Sequence, residues 1–292
     1  MTSLTISEHK NAMPLVITAD PSEFRDRAWP FLESRLECNA LATISLAVLE
    51  GRYAGVHPLF AYSLTAAGAV DGAALRTPPF ALVTSDLNPG AAPELIDAWL
   101  ARDPELNGAN GPPATVRALA TSWRERTGGR TACTREMAMH TLGEVTDPPR
   151  PPAGRLRPAD RAERDLLIDW WRAFEAEATL TRGDRAAANV DARLQDGGLF
   201  VWEDGGPASM LALSPSIARV VRIGPVYTPP ERRRRGYAGM SVAEISRRAL
   251  AGGARACMLF TDLGNPTSNK IYAEVGYRPI AGWEEHVFMR EP

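Results

Sequence analysis

The sequence predicts an α/β (α+β) chain of two domains, each with a mixed, mostly antiparallel sheet flanked by helices. Its 292 residues, 45% of them apolar, suffice for two domains but not for three of ordinary size. The segment Asp147–Gly154 carries four prolines and cannot continue a helix or a central strand. In each half, short β-branched runs alternate with longer helical patterns. We therefore expect one domain over 1–146, a stiff proline-rich linker over 147–154 and a second domain over 155–292.

The second domain is predicted to begin with a strand, two helices and three strands, followed by a helix and a further strand. Helical spacing of apolar residues places the helices, and short apolar runs between turn residues place the strands. The predicted strands are Gly154–Pro158, Leu199–Trp202, Ala208–Leu213, Arg219–Tyr227 and Ala256–Thr261, and the predicted helices are Arg161–Ala178, Arg185–Leu194 and Tyr237–Ala251.

The first domain repeats much of this order. The predicted helices are Pro21–Glu37, Pro93–Ala101 and Ala114–Arg126, and the predicted strands are Ala42–Leu49, Gly55–Leu64, Ala67–Leu75, Pro79–Thr84, a short one near Gly108, and Thr134–Val145. A repeated order of elements favours two related domains, and an unrelated α/β domain is the alternative.

The stretch from Val226 to Gly239 predicts a strand, a tight basic bend and the start of a helix. Proline ends the strand, and the small residues Gly236, Ala238 and Gly239 let a bulky anion approach the backbone. Backbone N–H groups at a helix N-terminus bind phosphate groups. The break at Gly224-Pro225 predicts a bulge or splay in the preceding strand. The bend is therefore expected to hold a nucleotide-bearing cofactor.

Two ordered motifs carry a resemblance to a known family. Arg233-x-x-Gly236-x-Ala238 follows a strand, and Asn265 opens a helix that reaches Tyr272 before Gly276 and Tyr277. From about Arg155 onward the chain resembles the GNAT superfamily of N-acetyltransferases. The resemblance implies a GNAT domain over 155–292, acetyl-CoA as cofactor and acyl transfer to the amine of a small molecule by direct attack on the thioester. The repeated order of elements extends the GNAT-like interpretation to the first domain.

The resemblance also implies roles for particular residues. Tyr272 is expected to be the general acid, and Asn265 is expected to hold the pantetheine arm. The further cofactor-binding residues implied are Val226, Tyr227, Thr228, Arg233, Arg234, Arg235, Gly236, Tyr237, Ala238, Gly239, Ser268 and Asn269. Arg234 stands where the family often has glycine.

The general base is less clearly indicated, because the strand Arg219–Tyr227 contains no carboxylate. We take Glu175 as the candidate, with Glu177, Asp262 or a bound water as alternatives. The aromatic residues near the first long helix could line an acceptor pocket or belong to the core. These residues are Trp170, Trp171, Phe174 and Trp202.

The corresponding turn of the first domain, Ser85–Gly90, has an aspartate and no arginine. An acidic turn repels a diphosphate, so the first domain is predicted to be a degenerate GNAT-like domain that does not hold CoA. A catalytically silent CoA sensor or partner-binding protein is the alternative function for the whole chain.

Charge and cysteine usage exclude several other classes. The net charge of −2 argues against nucleic acid and membrane partners, although a run of four arginines is by itself compatible with nucleic-acid binding. The three cysteines are isolated and predict neither disulfides nor a metal site. His57, His140 and His286 are interpreted as structural. Met1–Lys10 lacks the pattern of a secretory signal, so we expect a cytoplasmic protein; its oligomeric state is left open.

Overall fold

The computed structural model describes residues 4–6, 14–149, 151–178 and 185–291. Its contacts divide the chain into two compact units. Unit 1 comprises Met1–Met137 together with Ala281–Pro292, and unit 2 comprises Ala138–Ile280. Most of Met1–Lys10, on which the expected lack of a secretory signal rests, lies outside the described residues. In the part of the chain that is described, no helix has the length and apolar character required to cross a membrane.

The first half of the chain forms β1 to β7 and α1 to α4. The bounds are β1 Leu4–Ile6, β2 Leu15–Thr18, α1 Pro21–Ser34, α2 Asn39–Leu49, β3 Leu59–Leu64, β4 Val70–Arg76, β5 Leu82–Thr84, α3 Ala92–Leu100, β6 Gly108–Gly111, α4 Pro113–Thr127 and β7 Arg130–Leu142. Strands β1 to β5 pair antiparallel in sequence order, and β5 pairs parallel with β6.

The second half repeats the order strand, two helices, three strands, helix, strand, helix, strand. The bounds are β8 Arg155–Pro158, α5 Arg164–Glu177, α6 Ala186–Gln195, β9 Leu199–Glu203, β10 Pro207–Leu213, β11 Val220–Tyr227, α7 Tyr237–Ala251, β12 Ala256–Asp262, α8 Pro266–Val275 and β13 Arg278–Met289. Within unit 2, β8 to β11 pair antiparallel and β11 pairs parallel with β12. The mixed, mostly antiparallel sheet flanked by helices is confirmed.

The compact units differ from the predicted domain bounds at two places. Unit 1 ends at Met137, inside β7, and it takes in Ala281–Pro292 from the end of the chain. There Glu284–Val287 of β13 pair antiparallel with Gly108–Gly111 of β6. The proline-rich segment 147–154 carries no helix or strand in its described residues, as its composition predicts. Strand β13 thus contributes residues to both units, and the proline-rich composition of 147–154, from which the boundary was predicted, does not reveal this.

One predicted strand is wrong. Ala42–Leu49 lies in helix α2, which buries Asn39, Leu41 and Ser45 on one side. The β-branched residues of this run suggested a strand, but its hydroxyl groups are satisfied within the helix. Thr43 Oγ1 donates to the carbonyl of Asn39 at 2.7 Å, and Ser45 Oγ donates to the carbonyl of Ala42 at 3.0 Å. This local bonding makes Ser and Thr tolerable inside a buried helix.

Candidate functional site

The bend between β11 and α7 is built from two residues in the left-handed region of backbone space. Pro230–Arg232 form a single 3₁₀ turn, Arg234 has φ +62°, and Gly236 has φ +87° immediately before α7 begins. Glycine adopts such a φ at no steric cost, whereas an arginine there is strained. Two left-handed residues thus lie within the short bend between the end of β11 and the start of α7.

The backbone N–H groups of this bend have no acceptor in the described chain. From Arg234 to Gly239 none donates a hydrogen bond to another residue, and the first bond of the helix runs from Met240 N to Gly236 O. Orphan N–H groups at a helix N-terminus, together with the helix dipole, favour an anion. Arg232, Arg234 and Arg235 also form no ion pair with any described carboxylate. The bend therefore fits a diphosphate.

Strands β11 and β12 diverge beside the bend. They pair in parallel only over Val220–Arg222 and Ala256–Met258, although both strands continue to Tyr227 and Asp262. On the other edge of β11, the register with β10 shifts between Leu211 and Leu213. The predicted bulge or splay is confirmed. The divergence leaves backbone groups of Ile223–Tyr227 unpaired toward β12 in the described residues, where a cofactor arm can bind.

Arg233 is held by protein groups and does not extend freely from the bend. Its Nε donates to the carbonyl of Thr228 at 2.8 Å, and its Nη2 donates to Glu177 at 2.5 Å. The guanidinium also lies 5.8 Å from the ring centroid of Tyr227. The bond to Glu177 raises the pKa of Arg233, and burial followed by the nearby Glu177 charge raises the pKa of Tyr227. Of the three arginines expected to bind the cofactor, Arg233 therefore has partners within the fold, whereas Arg234 and Arg235 form no ion pair with a described carboxylate.

Ser209, which sequence reasoning missed, fixes the end of β11. Its buried hydroxyl donates to the carbonyl of Tyr227 at 2.8 Å and lies 2.9 Å from the hydroxyl of Thr228. Val226, the residue before, pairs with Leu211 of β10. Ser209 could have been noticed in the sequence as the single hydroxyl of an otherwise apolar strand, because a buried polar group requires a hydrogen-bond partner.

The second motif forms the start of α8. Asn265 caps this helix, and its Oδ1 accepts from the backbone N–H of Ser268 at 3.1 Å. Asn269 Nδ2 donates to the carbonyl of Asp262 at 3.1 Å, while its Oδ1 is buried without a partner in the described chain. Thr261 Oγ1 of β12 is also buried without a described partner. These unsatisfied atoms are compatible with a polar ligand beside β12 and α8.

Tyr272 lies on α8 with its ring edge against Tyr277, at 6.1 Å between centroids. Burial raises the pKa of Tyr272 to about 12, and its hydroxyl makes no hydrogen bond to any described residue. A phenol of this kind keeps its proton at neutral pH and has it available to donate. Tyr277 instead bonds to Ser246 at 2.9 Å, so its role is in the core.

Two of the predicted cofactor residues have packing partners. An ideal Cβ at Gly239 would lie 3.4 Å from Ile271 Cγ2, so this glycine lets α7 approach α8. Tyr237 is buried, and its hydroxyl donates to Asp204. Ala238 lies in the first turn of α7 between them. These contacts bring the bend and the Asn265 helix into one cluster.

Each candidate base makes a structural bond. Glu175 Oε1 accepts from Trp171 Nε1 at 3.0 Å, Glu177 pairs with Arg233, and Asp262 Oδ1 accepts from the N–H of Gly264 at 2.7 Å. Glu175 lies on α5, which contacts β11, and Glu177 of the same helix reaches Arg233 of the bend.

The aromatic residues separate into two groups. Trp170 lies 6.3 Å from the ring of Tyr227, and Phe174 is partly buried in the same cluster. Trp171 is buried in that core. Trp202 belongs to a different core, where it packs against Tyr237 and donates to the carbonyl of Ala153 at 2.9 Å. Trp202 is therefore excluded from an acceptor pocket shared with the others.

Comparison with known proteins agrees with this geometry. Residues 164–277 match the family model described as the Acetyltransferase (GNAT) family. These residues form a GNAT acetyltransferase domain. No curated protein sequence matches the chain.

Solved structures are similar to nearly the whole chain, including the part before this GNAT domain. A GNAT-family acetyltransferase from Colwellia psychrerythraea is 11% identical, with 95% of this chain and 99% of that chain covered at a TM-score of 0.57. A GCN5-related N-acetyltransferase from Sphaerobacter thermophilus is 16% identical, with 95% of this chain and 96% of that chain covered at a TM-score of 0.57. A tandem GNAT protein from the clavulanic acid biosynthesis pathway is 14% identical, with 95% of this chain and 99% of that chain covered at a TM-score of 0.58. At such identities the likeness shows the fold alone, which is a tandem GNAT fold.

In unit 1, several N–H groups are already bonded at Ser85–Gly90, the turn that corresponds to the bend of the GNAT domain. Leu87 N donates to Thr115 Oγ1 at 3.0 Å, Gly90 N donates to Asn88 Oδ1 at 2.9 Å, and Ala91 N donates to the carbonyl of Asn88 at 2.9 Å. N–H groups that are already bonded do not bind a phosphate. This observation supports the prediction that unit 1 does not hold CoA.

Proposed function

We propose that this chain is an acetyl-CoA-dependent N-acyltransferase that acetylates the amine of a small molecule. Its GNAT acetyltransferase domain supports acyl transfer in general, and the acceptor class is our proposal. The observation that carries the proposal is the row of unbonded N–H groups from Arg234 to Gly239, beside the point where β11 and β12 diverge. An anion site joined to an open strand edge suits a diphosphate with a long arm attached.

The residues of this chain would hold the cofactor and control protons. The N–H groups of the bend and the Arg235 side chain bind the diphosphate, and Asn265 binds the arm through its Nδ2 group. Acetyl-CoA supplies an already activated thioester. Tyr272 Oη holds a proton for donation, and Glu175 accepts the proton of the acceptor amine directly or through water. Trp170 and Phe174 offer the amine an apolar wall.

Thermal unfolding with CoA tests the cofactor site. Saturation at about 100 times Kd stabilises by about 2.7 kcal/mol, which raises Tm by roughly 5–10 °C for a unit of this size. Gly236→Asp should abolish the shift, because it places a negative charge among the N–H groups. Gly128→Asp is the matched control, since Gly128 has φ +69° and a Cβ added there would meet no atom within 4 Å. Absence of a shift in the unaltered chain would contradict the proposal.

A catalytically silent CoA sensor is the second candidate. It is favoured by one observation, namely that Glu175, Glu177 and Asp262 each make a structural bond and β11 has no carboxylate. The two functions separate in a thiol-release assay with a panel of small amines. A sensor shows the thermal shift with CoA but releases no thiol from acetyl-CoA with any amine, whereas an enzyme releases thiol in proportion to one acceptor.

A further inference from the structure

A second cluster of chemically active side chains lies in unit 1, apart from the GNAT acetyltransferase domain. It comprises Cys133 of β7 with Glu284 and His286 of β13, whose donor atoms all lie within 4.8 Å of one another. Thr134 Oγ1 donates to the carbonyl of Glu285 at 3.1 Å, which aligns the two strands at this point. Spacing alone does not reveal the cluster, because about 150 residues separate Cys133 from Glu284.

The donors form a mixed set of sulfur, nitrogen and oxygen. Thiolate, imidazole and carboxylate are the three ligand types that zinc accepts, and three protein ligands leave a fourth position for water. We propose that Cys133, Glu284 and His286 form a three-ligand site for a divalent zinc-class ion. A tetrahedral ion holds its ligand atoms roughly 3.5 Å apart. The widest separation in the cluster, up to 4.8 Å, must therefore shorten by about 1 Å on binding, while His286 Nε2 and Glu284 Oε2, now 2.9 Å apart, must separate slightly.

His286 provides an independent indication of a ligand. Its side chain is only 10% exposed, and its Nε2 lies 2.9 Å from Glu284 Oε2. Its Nδ1 is buried and has no hydrogen-bond partner in the described chain. When the neutral imidazole donates from Nε2 to the carboxylate, Nδ1 carries an unshared electron pair. A buried unpaired nitrogen of this kind is costly unless it binds something.

Arg117 controls access to the carboxylate. It forms a two-bond pair with Glu284, through Nε at 3.1 Å from Oε2 and through Nη2 to Oε1. The Glu284 side chain is 4% exposed but that of Arg117 is 64% exposed, so the guanidinium can move into solvent. The ion must replace this pairing, while the Cys133 thiol gives up its proton to solvent. Arg117 therefore competes with the metal, and its removal should tighten binding.

Thiol reactivity in the full chain gives a direct test. Cys133 is exposed, whereas Cys38 and Cys257 are buried, so a thiol reagent reports on Cys133. After treatment with a chelator, one equivalent of Zn²⁺ should slow modification of Cys133 at least tenfold, and Mg²⁺ should not. Cys133→Ser should remove the fast-reacting thiol and the binding of Zn²⁺ measured by calorimetry.

The ligand variants make the proposal refutable. His286→Gln should weaken Zn²⁺ binding at least tenfold, with the metal-free reactivity of Cys133 kept. Arg117→Met should strengthen binding and give a larger rise of Tm with Zn²⁺ than the unaltered chain, which a merely structural ion pair would not do. If Zn²⁺ fails to protect Cys133, or protects it equally in His286→Gln, the site does not exist as proposed.

Discussion

Arg233 and Arg235 should respond differently to replacement by alanine, although they are two residues apart in one basic run. Arg235 has no partner in the described chain, so its guanidinium is available to phosphate. A hydrogen bond to a charged group contributes about 1.5–3 kcal/mol. Arg235→Ala should therefore weaken CoA binding roughly 10- to 100-fold with little change in stability.

Arg233 already has its partners within the fold. Its ion pair with Glu177 joins side chains that are 40% and 50% exposed, which limits its contribution to about 0.2–1 kcal/mol. The bond to the carbonyl of Thr228 adds about 1 kcal/mol. Arg233→Ala should thus lower the free energy of unfolding by about 1–2 kcal/mol and should change CoA affinity less than Arg235→Ala does.

Calorimetric titration with CoA and chemical denaturation of each variant measure the two effects. Arg232→Ala is the matched control, because Arg232 belongs to the same run but lies in the 3₁₀ turn before the unbonded N–H groups. If Arg233→Ala loses more CoA affinity than Arg235→Ala while its stability is unchanged, the assignment of the two arginines is wrong.

Three further outcomes are expected. Tyr272→Phe should lower kcat by about 10²- to 10⁴-fold with KM little changed, measured by steady-state thiol release, and an unchanged kcat would exclude the general-acid role. The pKa of Tyr272 is raised to about 12, so the folded state holds this proton more tightly than the unfolded state. The contribution of Tyr272 to the free energy of unfolding should be constant below pH 10 and should fall between pH 10 and 12, by at most about 1.4 kcal/mol per pH unit. Denaturation at stepped pH should therefore show a shallower fall in Tyr272→Phe than in the unaltered chain. Asp103→Ala should destabilise unit 1 by about 3–5 kcal/mol, because it leaves the buried Arg76 without its carboxylate, whereas the exposed Asp97→Ala should lose under 1 kcal/mol; equal losses in the two would contradict this.

The sequence was sufficient to predict an element wherever neighbouring residues alone determine its structure. Helix α7 was predicted with its observed bounds, because a basic bend ending in Gly236 precedes it and Gly252 follows it. The splay of β11 was predicted from Gly224-Pro225. Helix α2 was wrongly predicted as a strand, because its β-branched residues favour strands, while its packing against α1 and β4 is a tertiary effect.

The contacts between distant residues could not be predicted. The pairing of Arg233 with Glu177 depends on where α5 ends, and the cluster around Cys133 depends on the neighbouring positions of two strands. The bond from Ser209 to Tyr227 likewise depends on strand register. Residue types and spacing located the bend, but the side chains that hold it in shape became known only from the fold.

The membership of Ala281–Pro292 in unit 1 has a consequence for synthesis on the ribosome. Strand β6 cannot gain its Glu284–Val287 neighbour until every residue of unit 2 has been translated. The half of the protein that is made first is therefore completed last, and a nascent chain displays the open edge of β6 throughout that interval. A truncation after Ile280 would freeze this state, leaving the GNAT acetyltransferase domain whole and the amino-terminal unit with an uncovered strand.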